Sequence, residues 1–285
     1  LLHSRTAFET VLTTTFYACF LLSYLLYRMR SPRYLYLALA CGAAAFYTYS
    51  NGQVVVLGAG MLLFLSDLPY HWQQRRTLLK GALLGAVLAL PLLLFRWYHP
   101  EALGQHLRAV NSYWFHPISL SEKLSIFLQK IAYGLSPQYW FLPNGQDLPR
   151  HRWDNQAHIL LGLLPFVLLG LLICLRHIRS SPHRALLLAT IATPLGGALV
   201  EIGITRVLAF VIPASLFAGL GLDWTLEQLA GLSSSLKARS TLPSDSSHQS
   251  QVFAPENPHP GAGGREASPP YTLRALLASV TFLVL

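Results

Sequence analysis

The chain has 285 residues, of which 53% are hydrophobic and only 12% are charged, and its mean hydropathy is +0.41. Soluble domains carry about 25% charged residues, so this composition excludes an ordinary water-soluble domain. The net charge of +9 does not indicate a nucleic-acid partner, because the Arg and Lys residues stand in short clusters between apolar blocks, the pattern that orients membrane helices. We therefore predict an all-α polytopic membrane protein that contacts the lipid bilayer and no nucleic acid.

Seven apolar segments are long enough to form helices in a membrane, and an eighth is cut short at the end of the sequence. We predict about seven to eight transmembrane helices, since open strands cannot span lipid. The segments are 8–27, 34–50, 52–68, 79–97, 158–175, 185–200 and 206–222, with the truncated helix at 273–285.

The basic loops 28–33, 73–80 and 176–184 alternate with connections that carry fewer cations. The positive-inside rule places these loops in the cytoplasm, together with the Ser-, Pro- and Gly-rich segment 223–272. We expect residues 1–222 to form the membrane region and 223–272 to be a disordered cytoplasmic linker, because the linker has few large apolar residues to bury.

The outer connection 98–157 is long and is not low in complexity. Glu101–Val110 and Ser121–Leu135 have apolar residues at helical spacing, which predicts helices lying on the membrane surface. Aromatic residues in this loop are typical of an interfacial belt. They are Tyr98, Tyr113, Trp114, Tyr139, Trp140 and Trp153.

Charges beside the outer ends of the helices are the candidates for chemistry, since ionisable groups are costly there. Arg5 and Glu9 are four residues apart and share one helix face. They form either an interfacial salt bridge or a site in which Glu9 acts on an acceptor hydroxyl while Arg5 holds a phosphate.

A tight outer hairpin connects the second and third apolar segments, and Asn51-Gly52 is predicted to form its turn. Tyr47 and Tyr49 either bind a sugar or phosphate through their hydroxyls or belong only to the aromatic belt.

The third candidate is the point where the chain re-enters the membrane after Glu201. Arg206 either grips the phosphate of a lipid carrier or pairs with Glu201 as a snorkelling residue. Arg150 and His151, in a basic aromatic stretch of the outer loop, are a weaker candidate for substrate binding. Cys19, Cys41 and Cys174 lie inside apolar segments and suggest no metal site, and we expect no cofactor.

Several of these stretches resemble the GT-C fold membrane glycosyltransferases of family 39, which include protein O-mannosyltransferases and the aminoarabinose transferase of lipid A. The resemblance lies in His3–Glu9, Tyr47-Thr48-Tyr49, Arg150-His151 and Thr205-Arg206, and in Tyr98-His99-Pro100-Glu101 with the later Arg108. It covers roughly residues 1–222.

The resemblance implies inverting transfer of a sugar from a polyprenyl-phosphate carrier to an acceptor on the outer face of the inner (plasma) membrane. It matches Glu9 to a second catalytic acid near the acceptor and Arg206 to a position near the carrier phosphate. It places the main catalytic acid in a first outer loop upstream of Leu1, so we expect this fragment alone to be inactive.

Two other membrane roles are open. One is a transporter or flippase for a lipid-linked sugar or a small solute, which is expected to place polar groups near the bilayer midplane. The other is a non-catalytic scaffold, which predicts no shared pocket for Glu9, Tyr47 and Arg206.

Overall fold

A computed structural model describes residues 9–152 and 155–240 of the chain. Within these ranges every regular element is a helix and no strand is present, which confirms the predicted all-α class. Arg5, the linker residues 241–272 and the truncated helix 273–285 lie outside the described residues.

Thirteen α-helices occur within the described ranges. In chain order they are α1 Glu9–Met29, α2 Tyr34–Thr48, α3 Ser50–Ser66, α4 Leu68–Gln73, α5 Arg75–Tyr98, α6 Ala102–Ala109, α7 Leu120–Gly134, α8 Pro137–Phe141, α9 Leu164–Arg176, α10 Ser181–Ala192, α11 Leu195–Ala198, α12 Ile204–Val207 and α13 Val211–Ser240. Four short 3-10 turns join them, at Tyr113–Phe115, Pro149–His151, Leu161–Leu163 and Leu208–Phe210.

Three helical stretches are long and apolar enough to cross a membrane: Glu9–Met29, Arg75–Tyr98 and Ile204–Ser233. Three shorter apolar helices, Tyr34–Thr48, Ser50–Ser66 and Leu161–Arg176, accompany them. The predicted total of seven to eight spans stays a prediction.

Helix α5 is the least buried of the three long apolar stretches. Only 6% of its apolar window is buried, and Leu79, Leu83 and Leu93 are among its exposed side chains. An apolar surface of this extent is unfavourable in water and is typical of a helix that faces a bilayer or a partner.

Polar contacts between helices collect at two ends of the bundle. At one end the Thr13 and Thr48 hydroxyls are 2.9 Å apart; we call this the outer end, following the charge prediction. At the other, inner end, the basic loops meet around the buried Asp67.

Asp67 is the centre of the inner cluster, which we define as Arg28, Asp67, Ser181, Arg184 and Tyr24. The Asp67 carboxylate accepts hydrogen bonds from Arg28 at 2.8 and 3.2 Å, from Tyr24 at 2.6 Å, from Ser181 at 3.3 Å and from Arg184. Because a buried charge is tolerated only when it is paired, this cluster ties α1, α3 and α10 together at one point.

Glycines allow α9 and α13 to pack backbone to backbone. A Cβ on Gly170 would lie 1.9 Å from the Phe217 carbonyl oxygen, and a Cβ on Gly221 would lie 2.1 Å from that of Phe166. Such small residues are the usual means by which membrane helices approach closely. The reciprocal pair fixes the register of the two helices.

The two helices predicted in the outer connection appear as α6 and α7, and α7 packs against α11. The Ser119 hydroxyl caps α7 by accepting from the Glu122 amide at 3.2 Å. At the other end of the chain, α13 continues to Ser240. Residues 223–240, predicted as the start of a disordered linker, are thus helical, and good helix formers such as Leu226, Glu227 and Leu229 explain why.

Candidate functional site

A polar cavity of about 480 Å³ lies at the outer end of the bundle. We call it the outer cavity. Its wall is formed by segments far apart in sequence: the start of α1, the α2–α3 connection, the outer loop and residues 201–206, which we call the re-entrant turn. The lining residues are Glu9, Thr10, Tyr49, Gln146, Asp147, Leu148, Arg150, His151, Glu201, Ile202, Gly203, Thr205 and Arg206.

Glu9 and Thr10 begin α1 and face the cavity. The Glu9 side chain is exposed, and within the described residues it has no ion pair. A carboxylate in the first turn is favoured by the positive end of the helix dipole. Glu9 is thus held at the cavity edge and is open to an incoming group.

Tyr49 forms the whole connection between α2 and α3, with an extended backbone at φ −154° and ψ 139°. The predicted Asn51-Gly52 turn is wrong, because both residues already lie in α3. Gly52 has a packing role instead: a Cβ there would lie 2.6 Å from the Ala45 carbonyl oxygen and 2.7 Å from Thr13. This close approach brings Tyr49 beside the start of α1.

Asn51 joins this hairpin to the re-entrant turn. Its side-chain amide donates to the backbone carbonyl of Arg206. Gly196 permits the contact, because a Cβ at that position would lie 2.0 Å from the Asn51 side-chain oxygen. Asn51 of the hairpin therefore holds the backbone of Arg206 in position.

The Arg206 guanidinium donates to the Glu201 backbone carbonyl at 3.2 Å. The Glu201 carboxylate, in contrast, pairs with Lys130 of α7 at 2.7 Å. The predicted alternative, in which Arg206 pairs with the Glu201 carboxylate, is therefore not observed. Among the described residues Arg206 has no carboxylate partner, so its charge is directed to the cavity.

Arg150 and His151 reach the cavity from the outer loop. The Arg150 Nε donates to the His151 Nε2 at 3.2 Å, which requires a neutral imidazole at that nitrogen. Burial lowers the pKa of His151, and the Arg150 charge lowers it further, against an opposing effect of Asp147. The pair therefore contributes one positive charge, on the exposed Arg150 side chain.

Asp147 is a site residue that the sequence interpretation missed. Its buried carboxylate accepts from the Ile204 amide at 2.7 Å, from His158 at 2.9 Å and from Tyr139 at 3.0 Å. Burial raises the pKa of Asp147, but these hydrogen bonds outweigh burial and lower it below the usual value. Asp147 is thus an ionised anchor between the outer loop and the turn that carries Arg206.

A second set of hydrogen bonds holds the outer loop against the same turn. Ser112 donates to the Leu199 carbonyl at 2.6 Å, and Tyr113 donates to that of Ala198 at 2.8 Å. Lys130 adds a contact to the Val200 carbonyl at 2.9 Å. Tyr113, which was predicted to belong to an interfacial aromatic belt, therefore holds the outer loop to this turn.

Five of the seven predicted site residues meet in the outer cavity: Glu9, Tyr49, Arg150, His151 and Arg206. Tyr47 does not, because its hydroxyl donates to the Leu88 carbonyl at 2.7 Å and its ring lines an apolar groove against α5. Arg5 lies outside the described residues.

Three carboxylates line the cavity, those of Glu9, Asp147 and Glu201, and among the described residues only Glu9 has no ion-pair partner. The two guanidinium groups of the lining carry no carboxylate partner among the described residues. Such an arrangement can hold an anionic group such as a phosphate and orient a hydroxyl beside it. In the described ranges no group of three or more His, Cys, Asp or Glu side chains is placed to hold a metal ion.

No protein-family model, curated protein or solved structure matches this chain.

Proposed function

We propose that the protein is a membrane glycosyltransferase that moves a sugar from a polyprenyl-phosphate carrier to an acceptor on the outer face of the membrane. The observation that carries the proposal is the meeting of Glu9, Tyr49, Arg150 and Arg206 in one outer cavity. These residues come from four separate segments of the chain.

The division of charge in the cavity fits that reaction. The carrier phosphate leaves as an anion, and its departure requires cations that stabilise this negative charge. Arg206 and Arg150 supply two such cations at the end of the helices, where a lipid carrier presents its phosphate. A guanidinium is suited to this role because it donates to phosphate oxygens in a bidentate manner.

Glu9 would act on the acceptor. A carboxylate within hydrogen-bond reach of a hydroxyl can orient it and accept its proton as the sugar carbon is attacked. The exposed position of Glu9 at the beginning of α1 leaves it accessible to such a hydroxyl. Tyr49 would complete the wall between the acceptor and the donor.

The arrangement of polar groups is the reason for preferring an enzyme to a transporter. The charges described above lie at the two ends of the bundle, in the outer cavity and in the inner cluster. Transporters commonly place substrate groups near the bilayer midplane, on interrupted helices. A site confined to one face suits chemistry at that face.

The test is a transfer assay with radiolabelled polyprenyl-phosphate sugars, on protein expressed with any sequence that precedes Leu1 in its gene. Glu9→Gln and Arg206→Ala are each expected to lower kcat/KM by about a hundredfold or more. Arg33→Gln, at the inner end, is the matched control and is expected to retain full activity. Equal turnover in all four proteins, or transport of the labelled lipid without transfer, would overturn the proposal.

A further inference from the structure

Helix α1 turns one buried face toward the bundle, and this face reaches the outer cavity at Thr10. Thr10, Thr13, Tyr17, Tyr24 and Tyr27 are buried polar residues of that face. Among them Thr10 lines the cavity, and only 5% of its surface is exposed. A hydroxyl group therefore lies on the inner part of the cavity wall.

The Thr10 hydroxyl differs from its neighbours on this face because it is unpaired. The Thr13 hydroxyl donates to the Glu9 carbonyl at 3.0 Å, and the Tyr17 hydroxyl donates to the Ala189 carbonyl at 3.0 Å. In the described part of the chain, Thr10 Oγ1 is the one buried hydroxyl oxygen without a hydrogen-bond partner. Since an unpaired buried polar group costs free energy, such a group is expected to pair with a bound molecule.

Glu9 and Thr10 face different parts of the cavity. Glu9 is exposed at the edge, whereas Thr10 is buried. Consecutive residues of an α-helix point about 100° apart, so the two side chains do not serve the same group. An acceptor that meets Glu9 enters at the edge, and a group that reaches Thr10 belongs to the substrate bound beneath the acceptor.

The chemistry of the lining indicates which part of that substrate meets Thr10. Arg150 and Arg206 belong to the outer loop and the re-entrant turn, and their charges suit the carrier phosphate. Thr10 follows Glu9 on α1, so the sugar attached to the phosphate is the part that faces it. A threonine hydroxyl both donates and accepts, which makes a sugar hydroxyl its natural complement.

We propose that the Thr10 hydroxyl binds a hydroxyl group of the transferred sugar and thereby determines which sugars the outer cavity accepts. This inference rests on the proposed glycosyltransferase activity and assigns the sugar contact of the same site. A sugar with a hydroxyl at the matching position pairs with Thr10, whereas a sugar without it leaves Thr10 unpaired in a buried position.

Equilibrium binding in detergent separates the sugar contact from the phosphate contact. The protein is expressed as for the transfer assay, and the probes are polyprenyl phosphate alone and the same carrier with glucose, galactose or mannose attached. Thr10→Val keeps the branched shape of the side chain but lacks the hydroxyl. It is expected to weaken binding of the best-bound sugar-bearing carrier about tenfold and to leave binding of the sugar-free carrier unchanged.

Two variants serve as matched controls. Thr10→Ser retains the hydroxyl and is expected to bind both carriers as the wild type does. Thr15→Val makes the same substitution on the exposed side of α1, where the Thr15 hydroxyl donates to the Val11 carbonyl at 3.0 Å. It is expected to leave both affinities unchanged.

Deoxy sugars and thermal unfolding test the contact further. One monodeoxy form of the best-bound sugar is expected to bind the wild type about tenfold more weakly than the parent sugar, and to bind Thr10→Val as tightly as the parent does. Without ligand, Thr10→Val is expected to unfold at or above the wild-type temperature, because the substitution removes an unpaired buried hydroxyl.

The results that contradict the two proposals differ. A lower unfolding temperature for Thr10→Val, equal weakening of both carriers, no weakening of either, or a wild type that binds all carriers equally would overturn the sugar contact. Selective weakening of the sugar-bearing carrier in Thr10→Val, with no sugar transferred by the wild type, would support the sugar contact and overturn the glycosyltransferase activity.

Discussion

The outer cavity and the inner cluster contain similar side chains but use them differently. In the inner cluster, the Asp67 carboxylate is enclosed by Arg28, Arg184, Tyr24 and Ser181, and the ionic groups satisfy one another. In the outer cavity, the charges of Glu9 and Arg206 face open space. A charged side chain at a helix end therefore indicates a binding site only where it has no ion-pair partner within the protein.

The largest effect is expected from breaking the inner cluster. Asp67→Ala leaves Arg28 and Arg184 without their carboxylate in a buried site, and the free energy of unfolding is expected to fall by about 3–5 kcal/mol. Thermal unfolding in detergent measures the change. The control is Glu201→Gln, which removes an ion pair whose carboxylate is 67% exposed and is expected to cost about 1 kcal/mol or less. Similar losses in both variants would remove the distinction between the two regions.

A smaller effect is expected at Asp147, the buried carboxylate of the outer cavity. Asp147→Asn cannot accept from Ile204, His158 and Tyr139 together, and we expect a loss of about 1–3 kcal/mol. Because the anchor holds the turn that carries Arg206, donor affinity should weaken as well. A stable variant with wild-type donor affinity would show that Asp147 does not position Arg206.

The pH dependence of stability tests whether Asp147 is ionised in the folded protein. Since the pKa of Asp147 is lowered in the folded protein, its contribution is fully present above the unfolded value of about 3.9 and is lost as the pH falls below it. The stability difference between wild type and Asp147→Asn should therefore shrink below about pH 4. A difference that is constant from pH 7 to pH 3 would contradict the ionised anchor.

The smallest effect is expected at the tyrosine outside the cavity. Tyr47→Phe removes one hydrogen bond to Leu88 and should cost about 1 kcal/mol of stability with transfer activity unchanged. Tyr49→Phe, inside the cavity, should instead alter the KM for donor or acceptor while stability stays the same. The reverse result would exchange the roles of the two residues.

The fold was predictable to the extent that it depends on hydropathy. Apolar blocks predicted the all-α class, and apolar residues at helical spacing in the outer loop predicted the positions of α6 and α7. The shape of the α2–α3 connection was not predictable, because Asn51-Gly52 is a common turn signal. In the structure Gly52 is required instead by its close approach to Ala45, a contact that exists only in the folded bundle.

The candidate site was predictable where a charge stands beside an apolar segment, as Glu9 and Arg206 do. Tyr47 and Tyr49 could not be told apart, since they are two residues apart and only helix packing decides which faces the cavity. Asp147 gave a weak signal, an acid just before the basic stretch at Arg150. Its partners Ile204 and His158 are distant in sequence, so its role as an anchor depends on tertiary structure.

We propose that Arg150 and Arg206, which have no carboxylate partner among the described residues, bind a polyprenyl phosphate in the outer cavity. The most direct test is equilibrium binding of a short-chain polyprenyl phosphate to the purified protein in detergent, measured by microscale thermophoresis for wild type, Arg206→Gln and Arg33→Gln. We predict that Arg206→Gln weakens binding about tenfold to a hundredfold, since a charge-assisted contact to phosphate is lost, while Arg33→Gln binds as the wild type does. Equal affinity of all three proteins would contradict the claim.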